Sequence, residues 1–89
     1  MIRKMITVPS EYGVAHKVAT QFVRTANEYQ SLLRISRGSD SVNAKSLLGI
    51  IAMGIKQGEH VVLTAEGSDE IEAMDALLHS LDQYRTEKP

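Results

Sequence analysis

Hydrophobic residues recur along this chain with two different periods, and the changes of period predict seven elements. Alternation typical of strands covers residues 2–8, 32–36, 41–43 and 60–66. Spacing of three and four residues, typical of helices, covers residues 16–27, 47–53 and 70–84. Because strands joined by tight turns are interleaved with helices, the order β-α-β-β-α-β-α predicts an α+β fold with one sheet and helices on one face.

The first and last helices each have one apolar stripe, which should face the core. In the first helix the stripe consists of Val18, Ala19, Phe22, Val23 and Ala26. In the last helix it consists of Ile71, Met74, Leu77, Leu78 and Leu81. Asp69, with Glu72 three residues later, has the form of a capping box at the start of that last helix.

The middle helix is short and has more apolar residues than one buried stripe needs. Ser46 is placed to cap it, because its side-chain oxygen can accept from a free N–H group of the first turn. Gly54 can end it in a left-handed conformation. The apolar residues between them fall on two sides, with Leu47, Leu48 and Ile51 on one side and Ile50 and Met53 nearer the other. If one set is buried, the other forms an exposed apolar patch of the kind used for docking.

Composition narrows the classes of function. The 89 residues make one domain, which we place at residues 1–85, followed by a frayed tail at 86–89. The absence of cysteine excludes disulfides and thiol chemistry. With 10 Lys and Arg against 11 Asp and Glu, no basic surface for nucleic acid is expected. No apolar run approaches the length of a membrane span and no signal-peptide core is visible, so we expect a cytoplasmic protein with no membrane partner.

The chain shows no pattern typical of an enzyme or a metalloprotein. His16, His60 and His79 lie on separate elements without the spacing of metal ligands. There is no phosphate-binding glycine loop, and Ser46 lacks the Gly-x-Ser-x-Gly context of a hydrolase nucleophile. We therefore expect no enzymatic activity, no cofactor and no metal site.

Ser46 has two interpretations. A phosphate on this residue would add about two negative charges beside the apolar patch, at the positive end of a helix dipole. Such a charge would favour a partner with arginine or lysine next to an apolar groove and disfavour one with acidic residues. The simpler interpretation is that Ser46 only caps the helix, since serine is a common cap. Spacing alone favours the simpler interpretation.

Residues 42–49, Val-Asn-Ala-Lys-Ser-Leu-Leu-Gly, resemble the regulatory-serine region of HPr, the small phosphocarrier of the bacterial sugar phosphotransferase system. The likeness is greatest to forms from Gram-positive bacteria of low genomic G+C, and it covers nearly the whole chain without a gap. It includes Gly13, Ala19-Thr20, Phe22-Val23, the Gly54 and Gly58 turns and residues 65–70. The resemblance implies an open-faced β-sandwich, in which a four-stranded, mainly antiparallel sheet has three helices on one face.

The phosphoacceptor histidine of that family is missing from its usual place. In the family it lies two residues after a glycine, in a run of the form Gly-aliphatic-His-x-Arg-Pro-Ala. Residues 13–19 read Gly-Val-Ala-His-Lys-Val-Ala, so Ala15 takes the histidine position, Lys17 the arginine position and Val18 the proline position. Alanine has no nucleophile, and lysine lacks the planar fork of arginine. These departures argue against a phosphocarrier.

His16 leaves one alternative open, a phosphocarrier that accepts phosphate from enzyme I one residue later. One residue along a helix turns a side chain by about 100° and advances it by about 1.5 Å. In-line phosphoryl transfer depends on positioning, so this displacement should be costly unless the first helical turn slips locally. The simpler interpretation is that His16 is an exposed residue of the first turn.

The regulatory site is intact. Lys45 and Ser46 match the family's phosphorylation site, and a docking surface is implied at Leu47, Leu48, Ile51, Lys17 and Arg24. The Crh type of member (catabolite-repression HPr) likewise lacks the histidine and keeps the serine, although it has a polar residue where this chain has Ala15. This resemblance implies phosphorylation of Ser46 by HPr kinase/phosphorylase and a corepressor role with catabolite control protein A, a LacI-type repressor. A docking module that needs no phosphorylation is a third possibility.

Overall fold

The computed structural model describes residues 1–84 and has the seven predicted elements in the predicted order. The strands are β1 Ile2–Thr7, β2 Leu32–Arg37, β3 Asp40–Asn43 and β4 His60–Glu66. The helices are α1 His16–Ala26, α2 Leu47–Met53 and α3 Glu70–Asp82. Each boundary lies within two residues of the predicted one. The tail predicted at residues 86–89 lies outside the described residues.

The four strands form one antiparallel sheet with the order β1-β4-β2-β3. β2 and β3 make the predicted hairpin, and Gly38 in its turn has a φ of +59°. Val61, Leu63 and Ala65 alternate along β4 and are buried under the helices, as predicted. The α+β fold with three helices on one face of an open sheet is therefore confirmed. Among residues 1–84, no helix has both the length and the apolar character that crossing a bilayer requires.

Of the two predicted apolar stripes, the one on α1 is confirmed and the one on α3 is confirmed only in part. The stripe of α1 is confirmed, because all its members are buried except Val23, which is half-buried. In α3, Met74, Leu77 and Leu81 are buried, but Ile71 is 63% exposed and Ala73 is buried instead. Ile71 precedes Ala73 by two residues, which is about 200° around a helix, so both cannot face the core. The prediction for Ile71 was wrong because the core-facing side of α3 includes Ala73 and not Ile71.

The predicted capping box at Asp69 and Glu72 is also wrong. The Asp69 carboxylate accepts from the Gln30 N–H at 2.9 Å, from the Ser31 N–H at 3.0 Å and from the Ser31 hydroxyl. These hydrogen bonds, above all the one from the Ser31 hydroxyl, hold the pKa of Asp69 below its ordinary value. Asp69 makes no side-chain bond to its own helix. Donors from a distant loop therefore take the place of the local donors that the sequence pattern suggests.

Candidate functional site

Ser46 caps α2 as predicted. It has an extended backbone, with φ −105° and ψ 109°, and its Oγ accepts from the Gly49 N–H at 3.1 Å. A Cβ atom at Gly49 would lie 3.2 Å from that oxygen, so glycine leaves room for the hydroxyl. Ser46 is half-buried, and its hydroxyl donates to no group in residues 1–84. The hydroxyl therefore keeps its proton available for transfer to a base outside the chain.

The apolar residues of α2 divide as the sequence pattern predicts. Ile50 and Met53 are buried against the core, whereas Leu48 is 82% exposed. Ile51 and Leu47 are 49% and 38% exposed. Leu47, Leu48 and Ile51 thus form an exposed apolar patch, which we call the α2 patch, directly after the Ser46 cap.

The side chain of Lys45 is directed to the segment that follows α1 and not to the Ser46 hydroxyl. Its ammonium donates to the Tyr29 carbonyl at 2.6 Å. Its own carbonyl accepts from the Asn27 side-chain amide at 3.2 Å. Lys45 therefore fixes the start of α2 to the segment that follows α1. Asn27 and Tyr29 were not predicted as part of the site, because only the fold brings residues separated by this much sequence together.

Arg37 fixes the other end of α2, where a helix leaves carbonyl groups without partners. Its Nη2 donates to the Met53 carbonyl at 2.7 Å, and its Nη1 forms an ion pair with Glu59 at 3.1 Å. Glu59 also accepts from the Lys56 N–H at 2.6 Å, and this bond, helped by Arg37, holds the pKa of Glu59 below its ordinary value. A cation at a helix C-terminus also interacts favourably with the helix dipole. No pattern in the sequence predicts that Arg37 binds the C-terminal end of α2.

The first turn of α1 has no side-chain cap. Ala15 occupies the N-cap position with an extended backbone, φ −142° and ψ 173°, and its methyl group accepts no hydrogen bond. The next residue, His16, has a φ of +53°, a left-handed conformation that costs a residue with a side chain about 1–3 kcal/mol. Its exposed ring is perpendicular to the Tyr12 ring, with centroids 6.5 Å apart. The displaced histidine therefore lies at a strained position beside an uncapped helix start.

Two shallow clefts adjoin this helix start. The first, of about 280 Å³, includes two residues that sequence reasoning missed, Tyr12 and Tyr84, together with His16, Lys17 and Val18. The second, of about 300 Å³, is lined by Lys17, Thr20, Gln21, Arg24 and Tyr84. No carboxylate lines either cleft. Lys17 and Arg24 are exposed, as a role in partner binding requires.

The structure brings some of the predicted site residues together and leaves others apart. α1 and α2 pack against each other, so exposed Lys17 and Arg24 lie on the helix next to the α2 patch. The remaining histidines lie elsewhere, and the Nδ1 atom of His60 is 3.0 Å from the Thr7 hydroxyl. Among residues 1–84, no three His, Asp or Glu side chains are grouped so that they could hold a metal ion.

Comparisons with known proteins agree with this architecture. Residues 2–83 match the family model described as the PTS HPr component phosphorylation site. HPr-like protein Crh of Halalkalibacterium halodurans is 35% identical over 83 residues, which cover 93% of this chain and 99% of that protein. Phosphocarrier protein HPr of Buchnera aphidicola subsp. Acyrthosiphon pisum is 36% identical over 77 residues, covering 86% and 91%. HPr-C-His of Thermoanaerobacter tengcongensis has a solved structure that matches with a TM-score of 0.93 and 35% identity, over 100% of each chain.

Proposed function

The chain belongs to the HPr family of the phosphotransferase system, and from this premise we propose that it is a regulatory member and not a sugar-transport phosphocarrier. In this proposal HPr kinase/phosphorylase phosphorylates Ser46 in the cytoplasm, and the product acts as corepressor of catabolite control protein A. The relatives include both a Crh and a phosphocarrier at nearly equal identity, so the residues must decide. The deciding observation is that Ser46 caps α2 beside an exposed patch, whereas Ala15 at the start of α1 has no nucleophile.

The chemistry of the proposed step needs only the Ser46 hydroxyl from this chain. Its Oγ attacks the γ-phosphorus of ATP, the new O–P bond forms as the bond to the β-phosphate oxygen breaks, and ADP leaves. The hydroxyl proton passes to a base of the kinase. The half-buried serine is held in one place by its bond with the Gly49 N–H, and this favours in-line attack because positioning dominates phosphoryl transfer.

The phosphorylated face suggests the chemistry of its partner. The Lys45 ammonium is bonded to the Tyr29 carbonyl, so in this arrangement it forms no direct ion pair with a phosphate on Ser46. The phosphate charge, about −2, is then left for a partner to bind, next to the apolar side chain of Leu48. A partner with arginine or lysine at the rim of an apolar groove fits this surface. This is the basis for proposing a protein corepressor complex.

Kinase treatment tests the proposal directly. Purified HPr kinase/phosphorylase and ATP are added to the wild-type chain, to Ser46→Ala and to Ser39→Ala, which alters an exposed turn serine. Intact-mass spectrometry should show one phosphate on the wild type and on Ser39→Ala and none on Ser46→Ala. The phosphorylated wild type should then bind catabolite control protein A more tightly than the unphosphorylated chain. If the wild type takes up no more phosphate than Ser46→Ala, the proposal fails.

One observation supports the second candidate, a phosphocarrier that uses His16. The left-handed backbone of His16 takes this exposed side chain out of regular helical register, and it lies in a cleft with Lys17. Incubation with enzyme I and phosphoenolpyruvate should give an acid-labile phosphate that His16→Ala loses, if this candidate is correct. No phosphate on the wild type under conditions that phosphorylate a known HPr would exclude it.

A further inference from the structure

The sheet face turned away from the helices is uncovered, and strand register defines its side chains. Residues paired across antiparallel strands share a face, and Val61, Leu63 and Ala65 are buried on the helix side. Their neighbours along β4 therefore point outward, together with their partners on β1 and β2. Read from β1 through β4 to β2, the rows of this open face are Arg3–Thr64–Arg34 and Met5–Val62–Ser36, with the pair Glu66–Leu32 beyond them at one end and the pair Thr7–His60 at the other.

The open face has an excess of positive charge. Arg3 and Arg34 are exposed, and neither forms an ion pair with a carboxylate of residues 1–84. Arg34 is steadied by a 2.9 Å bond from its Nε to the Ser41 hydroxyl. Glu66 is the carboxylate among the rows, whereas Lys4, although exposed, pairs with Leu63 and therefore lies on the helix side of the sheet. This excess is local, because the whole chain has a formal net charge of −1.

Two large apolar side chains protrude among these arginines. Met5 is 73% exposed and Leu32 is 70% exposed. They lie in different rows, separated by the row of arginines, so they do not form one contiguous patch. The rows contain no Phe, Tyr or Trp. Protein interfaces usually need a contiguous apolar centre with aromatic anchors, and the open face offers neither.

An anionic bilayer fits this pattern better than a protein does. Its surface needs no shape complementarity, since apolar side chains enter the headgroup region while cations contact lipid phosphates. A guanidinium group suits phosphate because it can bind two oxygens at once. A peripheral contact also needs no membrane-spanning segment, so the absence of an apolar run in the sequence does not bear on it.

We propose that the open face binds the surface of an anionic lipid bilayer. In this arrangement Arg3 and Arg34 contact lipid phosphates, and Met5 and Leu32 enter the headgroup region. The helices lie on the opposite side of the sheet and stay accessible to protein partners. Membrane binding in this proposal does not depend on phosphorylation of Ser46, so a negative result for one proposal leaves the other untouched.

Co-sedimentation with vesicles tests the proposal on the full chain. Vesicles of equal parts phosphatidylglycerol and phosphatidylcholine should bind the protein at low salt, and vesicles of phosphatidylcholine alone should not. Each basic side chain near an anionic membrane contributes about fivefold to the partition coefficient. Arg3→Glu and Arg34→Glu should therefore each weaken binding at least about fivefold. Lys56→Glu makes the same change of charge at an exposed position outside the open face and should have little effect.

A second set of variants, with its own control, tests the contribution of the apolar side chains to vesicle binding. Met5→Ser and Leu32→Ser should lower binding to the anionic vesicles, whereas Ile71→Ser, at a comparably exposed apolar residue on α3, should not. Thermal unfolding of every variant shows whether the fold is retained. Equal losses for Arg34→Glu and Lys56→Glu would overturn the proposal, because only net charge would then matter. Failure of the wild type to bind anionic vesicles at low salt, or self-association in place of vesicle binding, would overturn it as well.

Discussion

The N-cap residues of α1 and α2 share an extended backbone and differ in their side chains, alanine at α1 and serine at α2. Each helix begins after this residue, whose carbonyl accepts from the N–H four residues later, at 3.2 Å for Ala15 and 3.1 Å for Ser46. At α2 the N-cap side chain also accepts a hydrogen bond and has a hydroxyl, whereas at α1 it is a methyl group. The two N-cap positions therefore match in backbone conformation, and only the one at α2 offers a hydroxyl group.

The two helix starts also differ in how firmly they are held. α2 is tied at its start by Lys45 to the Tyr29 carbonyl and at its end by Arg37 to the Met53 carbonyl. The start of α1 has no side-chain cap, and its first residue, His16, has a φ of +53°. The better-anchored helix is the one that presents the intact serine and the exposed patch. This contrast supports the assignment of function to α2.

Restoring the missing nucleophile should have the largest effect. Ala15→His places an imidazole at the extended N-cap position, so this variant should gain an acid-labile phosphate from enzyme I and phosphoenolpyruvate where the wild type has none. Intact-mass spectrometry before and after acid treatment measures it, with Ala15→Gln as a control that fills the position without a nucleophile. If Ala15→His stays unmodified, Lys17 or Val18 also blocks the transfer, and adding Lys17→Arg tests that directly.

Breaking the α2 patch should have the next largest effect. Leu48 is 82% exposed, so Leu48→Asp should leave the fold intact while it places a charge where a partner would bury an apolar side chain. Binding of the phosphorylated chain to catabolite control protein A should weaken by at least about thirtyfold, the size of a hot-spot loss. Titration calorimetry measures it, and Ile71→Asp on α3 is the matched control. Unchanged affinity would count against any role of the patch.

Exchanging the caps should change stability by a smaller amount. Ser46→Ala removes the bond to the Gly49 N–H and should lower the free energy of unfolding by about 1 kcal/mol. Ala15→Ser supplies the missing acceptor at α1 and should raise it by up to about 1 kcal/mol. Urea unfolding at pH 7 measures both variants, with Ser39→Ala as a control in an exposed turn. A loss of stability in Ala15→Ser would mean that the strained His16 backbone prevents capping.

Acid should loosen α2 before α1, and this is the smallest expected difference. The pKa of Glu59 is lowered in the fold, chiefly by its bond with the Lys56 N–H, so its ionised form stabilises the protein above its unfolded pKa, and that stability is lost as the pH falls through the lowered value. Amide exchange measured from pH 6 down to pH 3 should accelerate in α2 relative to α1. In Glu59→Gln the two helices should keep their ratio across this range. An unchanged ratio in the wild type would show that Arg37 holds α2 without Glu59.

The placement of the candidate site was predictable in part. The pattern of residues 46–54 determined the cap, the left-handed end at Gly54 and the division of the apolar side chains, because each depends on neighbours within one or two turns. The anchors of α2 were not predictable, since Arg37 and Tyr29 each lie 16 residues from the groups they bind. Local periodicity contains no information on such contacts.

The sequence by itself determined the seven elements, their order, the missing nucleophile at residue 15 and the intact serine at residue 46, since hydrophobic period and residue type are local properties. Only the tertiary structure decided where Asp69 directs its carboxylate, because the donors of Gln30 and Ser31 reach it across the fold and replace the local cap. Only the tertiary structure placed Arg3 and Arg34 in one row, because that row needs β4 inserted between β1 and β2. Long-range pairing of strands therefore defined the surfaces, while short-range chemistry defined the elements.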